Sequence, residues 1–354
     1  ISEQSQKKEI NELFSILNIQ DKLNIDSEKK TFFFNLLIFI NFIISVLKIS
    51  ILGFDWFVKN FKINKVFLGD LIYDKYIRND FSYLNPKILN KKFLDLLYKS
   101  IQRYFIVDQQ FTKNNVKFSI IGSLSYISIS TLILRISQKK NIPTIYLSGD
   151  HFKIFKKNTK IGDTRKEFIN EFDKHANNSI IKKAQKYFLA RTKGQLKSKK
   201  YSPKLYFQHD EQNWFGDTKN KHFINRIMKL KNKFKNVVLI APHAFSESNH
   251  LYGDLIFRDF YQQTIQTLNF AKTKKNNLWL FKPHPWSEKK YGEYNSTIKQ
   301  FKNYKQDNII LVPKNVKTSS LFNFIDLTVS SRGTICLESA TFGIKSIITS
   351  QVYY

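Results

Sequence analysis

The second half of the chain repeats one local pattern, and that pattern restricts the fold more than any other feature. Short apolar runs end abruptly at polar, glycine or proline positions: 237–241 (VVLIA) before Pro242 and His243, 278–281 (LWLF) before KPHP, 309–312 (IILV), 326–329 (DLTV) before SSRGT, and 346–349 (SIIT). Runs this short and this rich in β-branched and aromatic residues read as strands buried on both faces. Helical spacing is expected between them, over 254–271, 319–324 and 334–342. Strands separated by helices predict a parallel sheet wound on both faces.

The first half carries a weaker version of the same alternation. A run at 65–68 (KVFL) ends in Gly69 and Asp70, and a helical stretch is expected near 94–105. A strand at 116–122 (VKFSIIG), a helix over 123–138 and a strand at 142–147 ending in SGDH then read as a βαβ unit. Ligands of open parallel sheets bind at the carboxyl ends of strands. Asp70, Ser123, Tyr126, Asp150 and His151 are therefore expected along one edge. The fold class is α/β, with two Rossmann-like lobes at 61–230 and 236–354, the second expected to be incomplete at its C-terminal end. Residues 204–221 read as the link between them.

Composition agrees with a folded protein of two domains. A chain of 354 residues with 42% apolar and 15% aromatic side chains is too hydrophobic for a disordered basic tail, and 11 Gly with 7 Pro are too few for a fibrous repeat. The single Cys336 excludes an internal disulfide framework and a thiolate zinc site, which fits a reducing cytoplasm. The net charge of +30, from 58 Lys+Arg against 28 Asp+Glu, comes mostly from lysine. Residues 152–205 hold 16 Lys+Arg against four Asp+Glu. We read this as a general basic bias able to attract anionic lipid or phosphorylated ligands, not as specific nucleic-acid recognition.

Residues 1–60 form an N-terminal helical segment in this reading: a polar helix over 1–30, then the most apolar stretch of the chain at 31–54. Its length approaches the roughly 20 residues of a membrane span. Asn35, Asn41, Ser45 and Lys48 interrupt it, which favours a buried helix or one lying on a membrane surface over a span, and Lys59, Lys62 and Lys65 downstream suit an anionic surface.

Three segments carry candidate chemistry. In SSRGT, a strand runs into Ser330, Ser331, Arg332, Gly333 and Thr334 at the start of a helix, where small residues and free N–H groups suit a phosphate. Glu338 follows one turn after Thr334, placed to accept hydrogen bonds from ribose hydroxyls; as a plain helix start, the same segment would need only an N-cap. In KPHP, two prolines stiffen a strand end from which Lys282 and His284 are expected to project, able to neutralise a departing phosphate. In APHAFSESNH, His243 sits at the tip of the lobe's first strand and is read as a cleft lining. His243, Glu247 and His250 are not read as a metal site.

The stretches LGDLIYDKYIR, APHAFSESNHLYGDLIFRDFY, LFKPHPW and SSRGTICLESATFGIKSIIT resemble bacterial capsule and surface-polysaccharide biosynthesis proteins of the GT-B glycosyltransferase type. They are more distantly similar to transferases that use CMP-activated sugars and to CDP-glycerol polymerases. The resemblance runs from Lys65 to the end and leaves 1–60 unexplained. It implies a metal-independent glycosyltransferase without a cofactor, taking a nucleotide sugar as donor and a glycan or lipid-linked acceptor, in the cytoplasm or peripheral on the inner face of the cell membrane. His284, Ser330, Ser331 and Thr334 would contact donor phosphates, and Glu338 the ribose. Arg332 stands where many such loops have a small residue. Inverting transfer would need a base from the first lobe, with Asp70 the first candidate and Asp150 or His151 the second. The alternatives are glycerophosphate transfer, a sugar-nucleotide epimerase, and a non-catalytic protein binding polysaccharide or nucleic acid through its basic face.

Overall fold

The computed structural model describes residues 31–352 apart from 81–83, 85, 148–151, 158, 160–169, 173, 193–220, 254, 285–291, 315 and 317. The fold is mixed α/β. Its first half contains helix α1 (Phe32–Asn60), strands β1 (Lys62–Ile63) and β2 (Val66–Phe67), helices α2 (Gly69–Asp80) and α3 (Lys91–Lys113), strand β3 (Ser119–Ile121), helix α4 (Ile129–Lys140), and strands β4 (Thr144–Leu147) and β5 (Phe152–Phe155). Helices α5 (Asn178–Thr192) and α6 (Lys221–Lys231) follow. The second half contains β6 (Asn236–Ile240), α7 (Phe260–Thr273), β7 (Asn277–Phe281), α8 (Tyr294–Lys302), β8 (Ile309–Leu311), β9 (Leu327–Ser330), α9 (Ile335–Ala340) and β10 (Lys345–Ile348), with a 3-10 turn at Thr318–Leu321.

The second half is the parallel sheet that the alternation predicts. Its five strands lie in the order β10-β9-β6-β7-β8, and every adjacent pair is parallel. The chain moves outward from β6 through β7 to β8, then returns to lay β9 on the other side of β6. That reversal is the point at which open sheets of this order gather ligands. The two-residue period of a strand sorts the side chains. Val237, Leu239, Leu278 and Leu280 pack with Leu321 and Phe322 on one face. Val238, Ile240, Trp279 and Phe281 pack with Leu268 and Phe301 on the other.

The first half departs from the expected parallel lobe. Val66–Phe67 does not lead a parallel sheet; it pairs antiparallel with Lys62–Ile63. Asn64 (φ 45°) and Lys65 (φ 69°) both take the left-handed region, as a two-residue hairpin turn of this hand requires. The remaining sheet has three strands, with β3 parallel to β4 but β5 antiparallel to it. Helices supply most of this core. Phe54, Phe57, Tyr73, Tyr76, Phe93 and Tyr104 lie buried together, and edge-on ring pairs Phe34–Phe105, Phe42–Tyr98 and Phe54–Phe93 fasten α1 along α3.

Helix starts follow side-chain chemistry. Thr31 accepts from Phe34 N–H at the start of α1, Asn90 from Lys92 N–H at α3, and Asp259 from Gln262 N–H at α7. Ser128 and Thr131 form a reciprocal capping box at α4. The Asp259 cap explains why α7 begins later than the expected 254. The buried-helix expectation for 31–54 holds along one face only: Ile38, Ser45, Ile49 and Phe54 are buried, but only 17% of the most apolar window of α1 lies inside the protein. α1 is also the one helix among the described residues long and apolar enough to cross a membrane.

Candidate functional site

The carboxyl end of the parallel sheet brings two predicted residues into contact. β6 runs through Ala241 and Pro242 to His243, and β7 runs through Lys282 and Pro283 to His284. Because β6 and β7 are adjacent and in register, their exit loops emerge side by side. The two imidazoles stack with centroids 5.3 Å apart and planes 23° from parallel. Phe260, at the start of α7, supports His243 from another side, with ring centroids 4.8 Å apart. The Glu247 carboxylate lies 3.2 Å from His243 Nδ1. Burial, together with the nearby Arg332 guanidinium, pushes the His243 pKa down to about 4, so the ring is neutral at physiological pH.

Across β6, the end of β9 carries the SSRGT loop, but most of the loop's polar groups already have partners within the protein. Ser330 Oγ accepts from Gly333 N–H at 3.1 Å and closes the turn. Ser331 Oγ donates to Gln263 Oε1 at 2.9 Å, and both serines are almost fully buried. A Cβ on Gly333 would fall 2.7 Å from Ser330 Oγ, so glycine is needed here for the turn's own closure. Arg332 does not extend into an open crevice. Its guanidinium donates to the carbonyls of Ser248, Asn249 and Gln351 and lies over the Tyr252 and Phe260 rings. Thr334 and Glu338 remain half-exposed beyond the loop.

Lys282 also differs from expectation. Its Nζ donates to the Val316 carbonyl at 2.7 Å and ties β7 to the connection after β8; burial lowers its pKa to about 8. Asp70 is corrected as well. It lies in the first turn of α2, not at the tip of a sheet strand, and is 4% exposed. Arg135 Nη2 donates to its Oδ2 at 2.6 Å while its Oδ1 accepts from Leu71 N–H. Both oxygens of that carboxylate therefore already have partners inside the protein. Asp150 and His151 lie outside the described residues.

Neither a protein-family model nor a curated protein sequence matches the chain.

Several residues that organise the site lack a recognisable motif. The start of the loop after His243 is held by Glu293, which accepts from the Phe245 and Ser246 N–H groups. Asn249 accepts from Phe260 N–H at 2.6 Å and donates to the Phe245 carbonyl. The same loop then meets the first half of the chain. His250 Nδ1 lies 2.7 Å from Asp74 Oδ1, and its N–H donates to Asp74 Oδ2. Tyr73 donates to Asp259 at 2.6 Å, and Tyr126 reaches the Ser246 carbonyl. Burial works against charge on His250, but Asp74, with Asp70 and Asp259 behind it, outweighs burial and raises its pKa. Nothing in the sequence set Asp74 apart, because α2 also carries Asp70, Lys75, Arg78 and Asp80. Its partner 176 residues away left no local trace.

Proposed function

We propose that the chain is a nucleotide-dependent glycosyltransferase, moving a sugar from an activated donor to a surface glycan. The observation that carries this reading is the stacked His243–His284 pair at the carboxyl ends of β6 and β7, beside the reversal of strand order between β6 and β9. Charge develops on the donor phosphate as the sugar departs, and a preorganised donor aimed at it lowers the barrier. In this reading His284 contacts that phosphate. His243, neutral and braced by Phe260, offers a hydrogen bond to a donor or acceptor hydroxyl. Glu338 and Thr334 hold the ribose side from the edge of β9. Ser330, Ser331 and Arg332 build the loop's shape instead of gripping phosphate, since their polar groups already have partners. Asp70 is not proposed as the base, because Arg135 holds it.

The test is a panel of CMP, UDP, GDP and CDP donors, read first as a shift in melting temperature and then as transfer with the donor that shifts it. His284→Ala should lower transfer by about 100-fold or more while leaving the fold intact. Unchanged transfer in that variant overturns the role of His284, and no shift with any nucleotide overturns the reading as a whole.

A further inference from the structure

The outward face of α1 is an apolar surface that no other described residue covers, and it lies far in sequence from the residues of the proposed transfer site. Phe33, Leu37, Ile40, Ile44, Leu47 and Ile51 recur at helical spacing and are 79%, 45%, 46%, 46%, 57% and 81% exposed. Monomeric soluble proteins seldom leave a contiguous patch of this kind open to water. The polar residues that interrupt the stretch do not spoil the face. Asn41 donates to the Leu37 carbonyl and Ser45 to the Asn41 carbonyl, so both are satisfied by their own helix.

Charge indicates what covers it. Asp55 is the only acidic residue between 31 and 69, and Arg258 pairs with it at 3.4 Å. Lys48, Lys59, Lys62 and Lys65 are exposed along or just beyond the helix, on a chain of net charge +30. An apolar helical face bordered by lysines matches a bilayer whose surface carries anionic headgroups.

Packing decides how the helix meets that bilayer. Ring contacts from Phe34 to Phe54 bind α1 to α3 along its length. The far side of α3 carries the Lys99–Asp95 pair, 57% and 56% exposed. If α1 crossed the membrane, that pair would be carried into hydrocarbon, where ionised side chains are strongly disfavoured. We propose that α1 docks on an anionic lipid bilayer in the plane of the interface, with its outward face immersed and its inward face remaining on α3.

The experiment uses the full chain with sedimenting vesicles of phosphatidylcholine, with or without about one-third phosphatidylglycerol. Wild-type protein should bind the anionic vesicles and bind neutral ones, or anionic ones in high salt, at least about 10-fold more weakly. The variant Leu37→Asp/Ile44→Asp/Leu47→Asp changes only outward side chains and should lose binding by about 100-fold with an unchanged melting temperature. A dye on Ile43→Cys, selective because the native Cys336 is buried, should be quenched by bromines placed shallow in the lipid. The proposal is overturned if wild-type protein ignores anionic vesicles, or if quenching is strongest with bromines at the bilayer centre. It is also overturned if wild-type protein forms a dimer without lipid that the triple variant abolishes, which would assign the face to a second copy.

Discussion

His243 shows how one residue's environment sets both its chemistry and its cost. Its pKa is about 4 against an ordinary 6.5, mainly through burial and secondarily through Arg332. Between those values the unfolded chain binds a proton that the folded ring refuses, so stability rises with pH across that window. The neutral ring's contribution is complete above about pH 6.5 and is lost as pH falls toward 4, amounting to about 3 kcal/mol at most. Urea titrations through this range should show that slope in wild-type protein and a flatter one in His243→Gln. The sequence placed His243 and His284 at strand ends because the strands themselves are unmistakable. It could not predict that Lys282 and Arg332 turn inward to carbonyl oxygens, because a cation near a strand end looks the same whether it meets a ligand or a buried carbonyl.

At the scale of elements, the junction of α1 and α2 depends on one close approach. Gly69 packs so tightly against the end of α1 that a Cβ there would overlap the Phe57 carbonyl oxygen. The Gly69 and Leu68 N–H groups both donate to the Phe61 carbonyl, which leaves the backbone no room to withdraw. Gly69→Ala should destabilise the protein by about 3 kcal/mol. Gly53→Ala offers the contrast. Gly53 breaks α1 at φ 77° and ψ 175°, a region essentially confined to glycine, with open space around it, so alanine there should cost about 2 kcal/mol through the backbone conformation alone. Midpoints of urea unfolding for the two variants give the comparison directly. The same region shows why the strand's partner and direction were misread from sequence, although Val66–Phe67 is the strand expected. KVFL has strand chemistry, but Asn64 and Lys65 turn the chain back on itself, and only the asparagine is a residue that favours that conformation.

Across the whole molecule, the two halves are joined by polar contacts between α2 and the loop that follows β6. Asp74–His250 and Tyr73–Asp259 are buried, and Arg258 stacks on Tyr73 while pairing with Asp259. Removing one partner of a buried pair strands the other, so Asp74→Ala should cost about 3–5 kcal/mol. The pKa of His250 is raised above its ordinary 6.5. The stability it contributes is therefore fully present below that value and lost as pH rises through the folded value. Unfolding of wild-type, Asp74→Ala, His250→Gln and the double variant at about pH 6 and about pH 9 should give a larger coupling at the lower pH. An equal coupling at both would show that the proton on His250 does not matter to the joint.

The five strands of the parallel sheet, their exit loops and the apolar stretch at 31–54 were all legible in the sequence. Each rests on a local signal: short β-rich runs, punctuating Pro and Gly, or a long and mostly apolar stretch. The order of those strands, the antiparallel turn at Asn64–Lys65, the ion pair that removes Asp70 from a cleft and the outward exposure of α1 came only from the tertiary structure. Each depends on partners distant in the chain, such as Asp70 with Arg135 or Asp74 with His250. Burial and pairing are properties of the packed chain, and no window of neighbouring residues contains them.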